Sequence, residues 1–81
     1  MTHQYEIDGG RESFRSLREV REHIELKCVS DRNKFDGELV WRYLDGNGSY
    51  DSWRIEVNRK GRVHFREKMT FKYMNGQLVR S

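Results

Sequence analysis

Apolar and polar side chains alternate most regularly between Arg62 and Tyr73, and this pattern predicts a β-strand. Successive side chains of a strand point to opposite faces of a sheet, so one parity of positions is buried and the other faces water. Most even positions here are cationic, which predicts a buried apolar face and an exposed basic face. Glu67 interrupts the apolar series, and we interpret it as a bend or a β-bulge. The apolar residues at odd positions are Val63, Phe65, Met69, Phe71 and Tyr73.

The start of the chain predicts a β-hairpin. Tyr5 and Ile7 alternate with polar residues, and the sequence Asp-Gly-Gly-Arg at residues 8–11 tolerates the positive φ angles of a tight turn. Residues 12–15 then form a short return strand with Phe14 pointing inward.

One helix is predicted after this hairpin. Ser16, followed three residues later by Glu19, has the form of a capping box, so the helix begins at Leu17 and continues to about Lys27. The apolar residues at helical spacing form one narrow stripe, which is typical of a helix that lies on a sheet. They are Leu17, Val20, Ile24 and Cys28.

Four strands are predicted after a polar connection at residues 29–36. They cover residues 38–44, 53–57, 62–73 and 78–80, and the Asn75-Gly76 pair before the last one is a strong hairpin signal. In the first of these strands we place Leu39 and Trp41 in the core, although Val40 on the other parity leaves open that both faces are covered.

The predicted fold class is α+β, an antiparallel β-meander in the order ββαββββ with a single α-helix packed on one face of the sheet. A chain of 81 residues has room for one core, so residues 1–81 are expected to form a single domain. The predicted core comprises Tyr5, Ile7, Phe14, Leu17, Val20, Ile24, Leu39, Trp41, Trp53, Ile55, Val57, Val63, Phe65, Met69 and Phe71.

Charge is distributed unevenly along the chain. The net charge is +3, but residues 53–81 hold eight Lys/Arg against two acids, whereas residues 35–52 hold one Arg against four acids. This asymmetry favours an anionic partner. The alternative is that the cations only keep the sheet soluble.

The basic strand supplies the candidate binding residues. Side chains two apart on a strand are separated by about 6.5 to 7 Å, which resembles the phosphate spacing of an extended single strand. Proteins that bind single strands also place aromatic rings among the cations, so that bases can stack. The parity of this segment places its aromatic residues in the core, which counts against that function. It leaves only Tyr43 and Tyr50, with Trp41 as a further candidate, free to stack on bases. Arg54 on the neighbouring strand is expected to widen this row. The candidate binding residues are Arg54, Arg62, His64, Arg66, Lys68 and Lys72.

Protein binding is the rival hypothesis. A small, charged, proline-free domain suits an inhibitor, an immunity-like protein or a phage-type accessory protein that acts through a protein–protein interface. The last strand is expected to lie at the free edge of the sheet. Arg80 is the only charged residue on it that would disfavour pairing with a strand of another protein. The expected partner is therefore nucleic acid or an acidic protein surface.

Other chemistries find little support in the sequence. Residues 45–56 imitate the spacing of an EF-hand, but Tyr50 occupies the glycine position and the flanks are strands. The histidines lack metal-ligand spacing, and Cys28 is interpreted as a small buried hydrophobic residue rather than a nucleophile paired with histidine. No phosphate-binding glycine loop is present. We expect a non-enzymatic binding module with no catalytic residues, metal, cofactor or small-molecule substrate.

The expected cellular compartment follows from features that the sequence lacks. A single cysteine cannot form an internal disulfide, and no apolar run is long enough to span a membrane. A cytoplasmic protein that makes no membrane contact is therefore expected.

Overall fold

The computed structural model describes residues 4–44 and 48–80 of the chain. Their six strands form one antiparallel sheet in the order β2-β1-β3-β4-β5-β6. The α+β class, with an antiparallel sheet and a helix, is confirmed. Strands β3 to β6 form a meander, whereas β1 lies between β2 and β3. The strands are β1 (Tyr5–Ile7), β2 (Ser13–Phe14), β3 (Leu39–Leu44), β4 (Ser49–Val57), β5 (Val63–Met74) and β6 (Gln77–Arg80).

The helical segment between β2 and β3 changes its winding twice. An α-helix, α1, spans Leu17–Glu22, a π-helical turn spans His23–Lys27, and a 3₁₀ helix spans Val29–Phe35. The π turn has more residues per turn than an α-helix, so Cys28 leaves the apolar stripe and is partly exposed. The connection predicted at residues 29–36 is therefore mostly helical.

The predicted N-cap of α1 is confirmed. The Ser16 hydroxyl accepts a hydrogen bond from the Glu19 amide at 3.1 Å. The Glu19 carboxylate reaches back one residue further than a capping box requires, because it accepts from the Arg15 amide at 3.3 Å.

The core lies between the helical segment and the sheet face that it covers, which we term the inner face. Val20 and Ile24 of the helical segment are fully buried. The helical segment also holds the start of β5, because the Val63 amide donates to the Glu25 carboxylate at 2.7 Å. The buried core comprises Tyr5, Ile7, Phe14, Val20, Ile24, Val40, Trp53, Ile55 and Val63. Leu17, Phe35, Val57 and Phe65 are partly buried against it.

A β-bulge in β5 reverses the parity of this strand. Arg54 pairs with Arg66 and Ser52 pairs with Met69, so two residues of β5 stand opposite one residue of β4. Glu67 lies in this bulge with a positive φ of 54°. Since the inserted residue shifts every later side chain to the other face, Met69 lies on the opposite side of the sheet from Val63.

The predicted core positions of Met69 and Phe71 are therefore wrong. The prediction correctly places Glu67 at an irregularity of the strand. It assumes, however, that the odd positions stay buried on both sides of Glu67, whereas the bulge reverses which positions are buried. Before the bulge, Val63 and Phe65 point inward as predicted. After it, Met69, Phe71 and Tyr73 point to the face away from the helical segment, which we term the outer face.

The predicted orientation of β3 is also wrong. Val40 pairs with Ile7 and with Trp53, and all three are buried in the core. Leu39 and Trp41 consequently lie on the outer face rather than in the core. Both parities of β3 carry apolar residues, so its alternation alone did not determine which side is buried.

None of the helices among residues 4–44 and 48–80 is long and apolar enough to cross a membrane.

Candidate functional site

The outer face carries a cluster of aromatic side chains. In the register of the sheet, Tyr43 stands opposite Tyr50, and Tyr50 stands opposite Phe71. Tyr73 follows two positions later on β5, and Trp41 lies two positions earlier on β3. Strands β3, β4 and β5 thus bring five rings together, and we term them the aromatic patch. The aromatic patch comprises Trp41, Tyr43, Tyr50, Phe71 and Tyr73.

The rings of the aromatic patch touch one another. Ring centroids are 5.6 Å apart for Trp41 and Phe71, 5.2 Å for Tyr43 and Tyr50, and 6.1 Å for Tyr50 and Tyr73. Each such tilted pair contributes about 0.5 to 1.5 kcal/mol beyond its buried area. Tyr43 and Tyr73 remain 46% and 52% exposed, so these two rings offer surface to a ligand.

Two grooves border the aromatic patch. One, of ≈ 300 Å³, runs between the turn at residues 8–10 and the side chains of Tyr73 and Leu78. The other, of ≈ 260 Å³, lies between Gln4 and Tyr43. Glu6 lines both grooves and gives them an anionic wall. Trp41 and Tyr50 line both grooves, so the grooves run along the aromatic patch itself.

Three of the predicted cationic residues share the outer face with the aromatic patch. Arg54 and Arg66 stand opposite each other on β4 and β5, in the row next to Trp41. His64 lies one row further along β5, opposite Glu56. On the described strands, aromatic and cationic side chains thus occupy one face, which the sequence pattern had argued against.

The other predicted cations do not lie on this face. Lys68 and Lys72 follow the bulge and lie on the inner face, where the Lys68 ammonium is 5.8 Å from the Trp53 ring centroid. Arg62 precedes β5 and its guanidinium is 3.9 Å from the Glu25 carboxylate. The predicted row of five cations on this strand, which Arg54 of the neighbouring strand was expected to widen, is therefore divided between the two faces.

Carboxylates accompany the outer-face arginines. Arg54 forms an ion pair with Glu67 at 2.9 Å, and Arg66 forms one with Glu56 at 3.5 Å. All four side chains are at least 40% exposed, and ion pairs this exposed are worth about 0 to 1 kcal/mol. Each arginine is therefore held only weakly by its carboxylate.

A buried ion pair lies on the inner face behind the aromatic patch. Arg42 donates to Asp51 and, at 3.1 Å, to the Tyr5 hydroxyl, while the Thr70 hydroxyl donates to Asp51 at 2.9 Å. Burial raises the pKa of Asp51, but the hydrogen bonds from Arg42 and Thr70 outweigh it and leave the pKa below its usual value. This network joins β1, β3, β4 and β5 and fixes the strands that carry the patch.

Cys28 and His23 meet in the structure. The Cys28 thiol is 3.4 Å from Nε2 of His23, and Nδ1 of His23 is 3.6 Å from the Glu12 carboxylate. The pairing of Cys28 with a histidine, given little weight from sequence, is thus present as a contact. Cys28 is half-buried rather than buried, because the π turn displaces it.

Metal binding gains no support from the described part of the chain. No group of three or more His, Cys, Asp or Glu side chains there could hold a metal ion. Of the loop that imitates an EF-hand, residues 45–47 lie outside the described residues.

No family model, curated protein or solved structure compared with this chain matches it. The outer face is consequently the candidate site on the strength of its own geometry.

Proposed function

We propose that the protein is a non-enzymatic cytoplasmic module that binds single-stranded nucleic acid on its outer face. The observation that carries the proposal is the bulge at Glu67. It brings Phe71 and Tyr73 to the same face as Arg54 and Arg66. Aromatic rings next to cations on an open sheet are the surface that an unpaired strand requires.

Base stacking would be supplied by the exposed rings. Tyr43 and Tyr73 lie at opposite sides of Tyr50 and each exposes about half of its surface. A base that stacks on an aromatic side chain contributes about 1 to 3 kcal/mol by alanine substitution. Bases in a duplex are already stacked on each other, so the aromatic patch favours a single strand over a duplex.

Phosphate contacts would come from the row next to the patch. Arg54 and Arg66 lie in the row next to Trp41, and His64 lies one row further along β5. Two arginine–phosphate contacts on a single strand lower log K by about 1.4 for each tenfold rise in salt. This is a shallower dependence than the roughly four or five contacts expected of an undivided basic face would give.

A titration of the whole chain with a fluorescent twelve-nucleotide strand tests this function. We expect anisotropy to report binding at low salt, a weaker complex at higher salt, and lower affinity for a matched duplex. Absence of binding to single-stranded DNA and RNA at low salt would contradict the proposal.

Binding to another protein through this face is the second candidate function. The carboxylates beside Arg54 and Arg66, together with Glu6 in both grooves, reduce the positive charge near the patch. Aromatic and arginine side chains also dominate the centres of protein interfaces. A complex that survives high salt and contains a protein rather than nucleic acid would favour this candidate.

A further inference from the structure

The last strand leaves one side of the sheet open. β6 ends the strand order of the described sheet, and all four of its residues are exposed. Leu78 and Val79 at its centre are 39% and 42% exposed although both are apolar. They point to opposite faces, so one protein surface laid on one face would cover only one of them. A strand added to the edge would contact both.

The hairpin fixes which backbone groups of β6 face the open edge. Asn75 and Gly76 both have positive φ, and the pairs Met74–Gln77 and Tyr73–Leu78 close a two-residue turn. The Tyr73 amide donates to the Gly48 carbonyl at 2.9 Å, on the side of β5 away from β6. In antiparallel pairs the hydrogen-bonding direction alternates. The amide and carbonyl of Leu78 therefore point away from β5, towards the open edge.

We propose that β6 pairs antiparallel with β6 of a second copy of this chain, with a two-fold axis through Leu78. Residues directly opposite each other in a sheet point to the same face. The two-fold axis therefore has to place one residue of β6 opposite its own copy in the second chain, not opposite the copy of its neighbour. An axis through Gln77 or Val79 would also allow a regular ladder, but it would place Leu78 opposite the partner's Gly76 or Arg80, where its exposed apolar side chain gains no apolar neighbour. An axis through Arg80 would place two arginines opposite each other, which is unfavourable. An axis through Leu78 pairs this apolar side chain with its own copy and makes that pair hydrogen-bonded.

The register at Leu78 suits a second copy in three ways. The Leu78 side chains of the two copies meet on the outer face, and Val79 stands opposite the partner's Gln77. Arg80 stands opposite the partner's Gly76, so the edge cation meets no like charge. Tyr73, the neighbour of Leu78 on β5, lies next to this junction, so the aromatic patches of the two copies approach one another.

Cysteine cross-linking tests the register. In a hydrogen-bonded antiparallel pair the Cα atoms are about 5.5 Å apart, which is within the range that a disulfide spans. In a Cys28→Ser background, Leu78→Cys should therefore form a disulfide-linked dimer under mild oxidation. Val79→Cys is the matched control, because its copies would be about 8 Å apart, beyond disulfide reach. Equal cross-linking of the two variants would overturn the register.

Sedimentation of the unmodified chain tests the association itself. We expect a concentration-dependent dimer that Leu78→Pro converts to a folded monomer, because the lost N–H faces the edge and not β5. Leu78→Thr keeps that N–H and should retain a weaker dimer. A wild-type chain that stays monomeric at the highest concentration measured would overturn the proposal, and a Leu78→Pro variant that stays dimeric would too. These readouts are independent of nucleic-acid binding.

Discussion

Trp41 and Phe71 lie with their ring centroids 5.6 Å apart on the outer face of the sheet. Phe71 has the same odd parity as Val63, which is buried on the other face. The contact exists because β5 contains one extra residue between Arg66 and Met69. A single bulge thus decides whether the aromatic residues of β5 serve the core or the surface.

The bulge should tolerate glycine at its strained position. Glu67 adopts a positive φ, which costs a non-glycine residue about 1 kcal/mol, whereas glycine adopts it freely. Its ion pair with Arg54 is exposed and offsets little of that cost. We expect Glu67→Gly to leave the free energy of unfolding unchanged or raise it by up to about 1 kcal/mol, as measured by urea denaturation.

Glu56→Gly is the matched control for this prediction. Glu56 lies in β4 without a positive φ and pairs with Arg66 in a similar exposed contact. Glycine there should lower the free energy of unfolding by about 0.5 to 1 kcal/mol, because a regular strand loses its side chain and gains flexibility. Equal destabilisation by both substitutions would show that Glu67 is not strained.

The buried carboxylate should make the fold sensitive to acid. The pKa of Asp51 is lowered in the folded state, so its contribution to stability is complete above the unfolded pKa of about 4 and is lost as the pH falls through the folded pKa. Asp51→Asn should reduce the free energy of unfolding at pH 7 by about 3 kcal/mol, since the partly buried Arg42 is left without its carboxylate. The variant should also show a flatter decline of stability below pH 4.

Asp31→Asn provides the comparison for Asp51. Asp31 is exposed and 3.5 Å from the Lys34 ammonium, so the substitution should change the free energy of unfolding by less than about 0.5 kcal/mol. Thermal or urea unfolding measured from pH 2 to pH 7 separates the two variants. The same acid response in both would contradict a special role for the Arg42–Asp51 pair.

The aromatic patch should contribute to ligand affinity without being needed for folding. Tyr73→Ala should weaken single-strand binding by about 1 to 3 kcal/mol, because it removes a half-exposed stacking surface. Met74→Ala is the control, since Met74 is 54% exposed at the next position but points to the inner face. Anisotropy titrations of both variants, alongside circular dichroism, measure the difference. Equal affinities would remove Tyr73 from the binding surface.

Local patterns predicted much of the fold. Ser16 and Glu19 mark the helix start, the Asn75-Gly76 pair forms the last turn, and Tyr5 and Ile7 alternate as a half-buried strand. Each of these depends on neighbours within a few residues. The α+β class follows from their order.

The candidate site could not be predicted in the same way. Its location depends on how many residues the bulge at Glu67 inserts and on which parity of β3 meets Ile7. Both are properties of strand pairing between distant segments, and both parities of β3 are apolar enough to be buried. The sequence pattern predicted that all the candidate cations share the exposed face. This is correct for Arg54, His64 and Arg66, whereas Lys68 and Lys72 lie on the inner face.

Charge reversal on the two faces tests the proposed binding surface most directly. Arg66→Glu and Lys72→Glu change the net charge equally, six residues apart on the same strand, but act on opposite faces. At about 0.15 M salt the screening length is about 8 Å, so a charge behind the sheet acts only weakly on the outer face. We expect Arg66→Glu to lower single-strand affinity at least tenfold and Lys72→Glu to change it less than twofold. Equal losses from the two variants, or a larger loss from Lys72→Glu, would contradict an outer-face site.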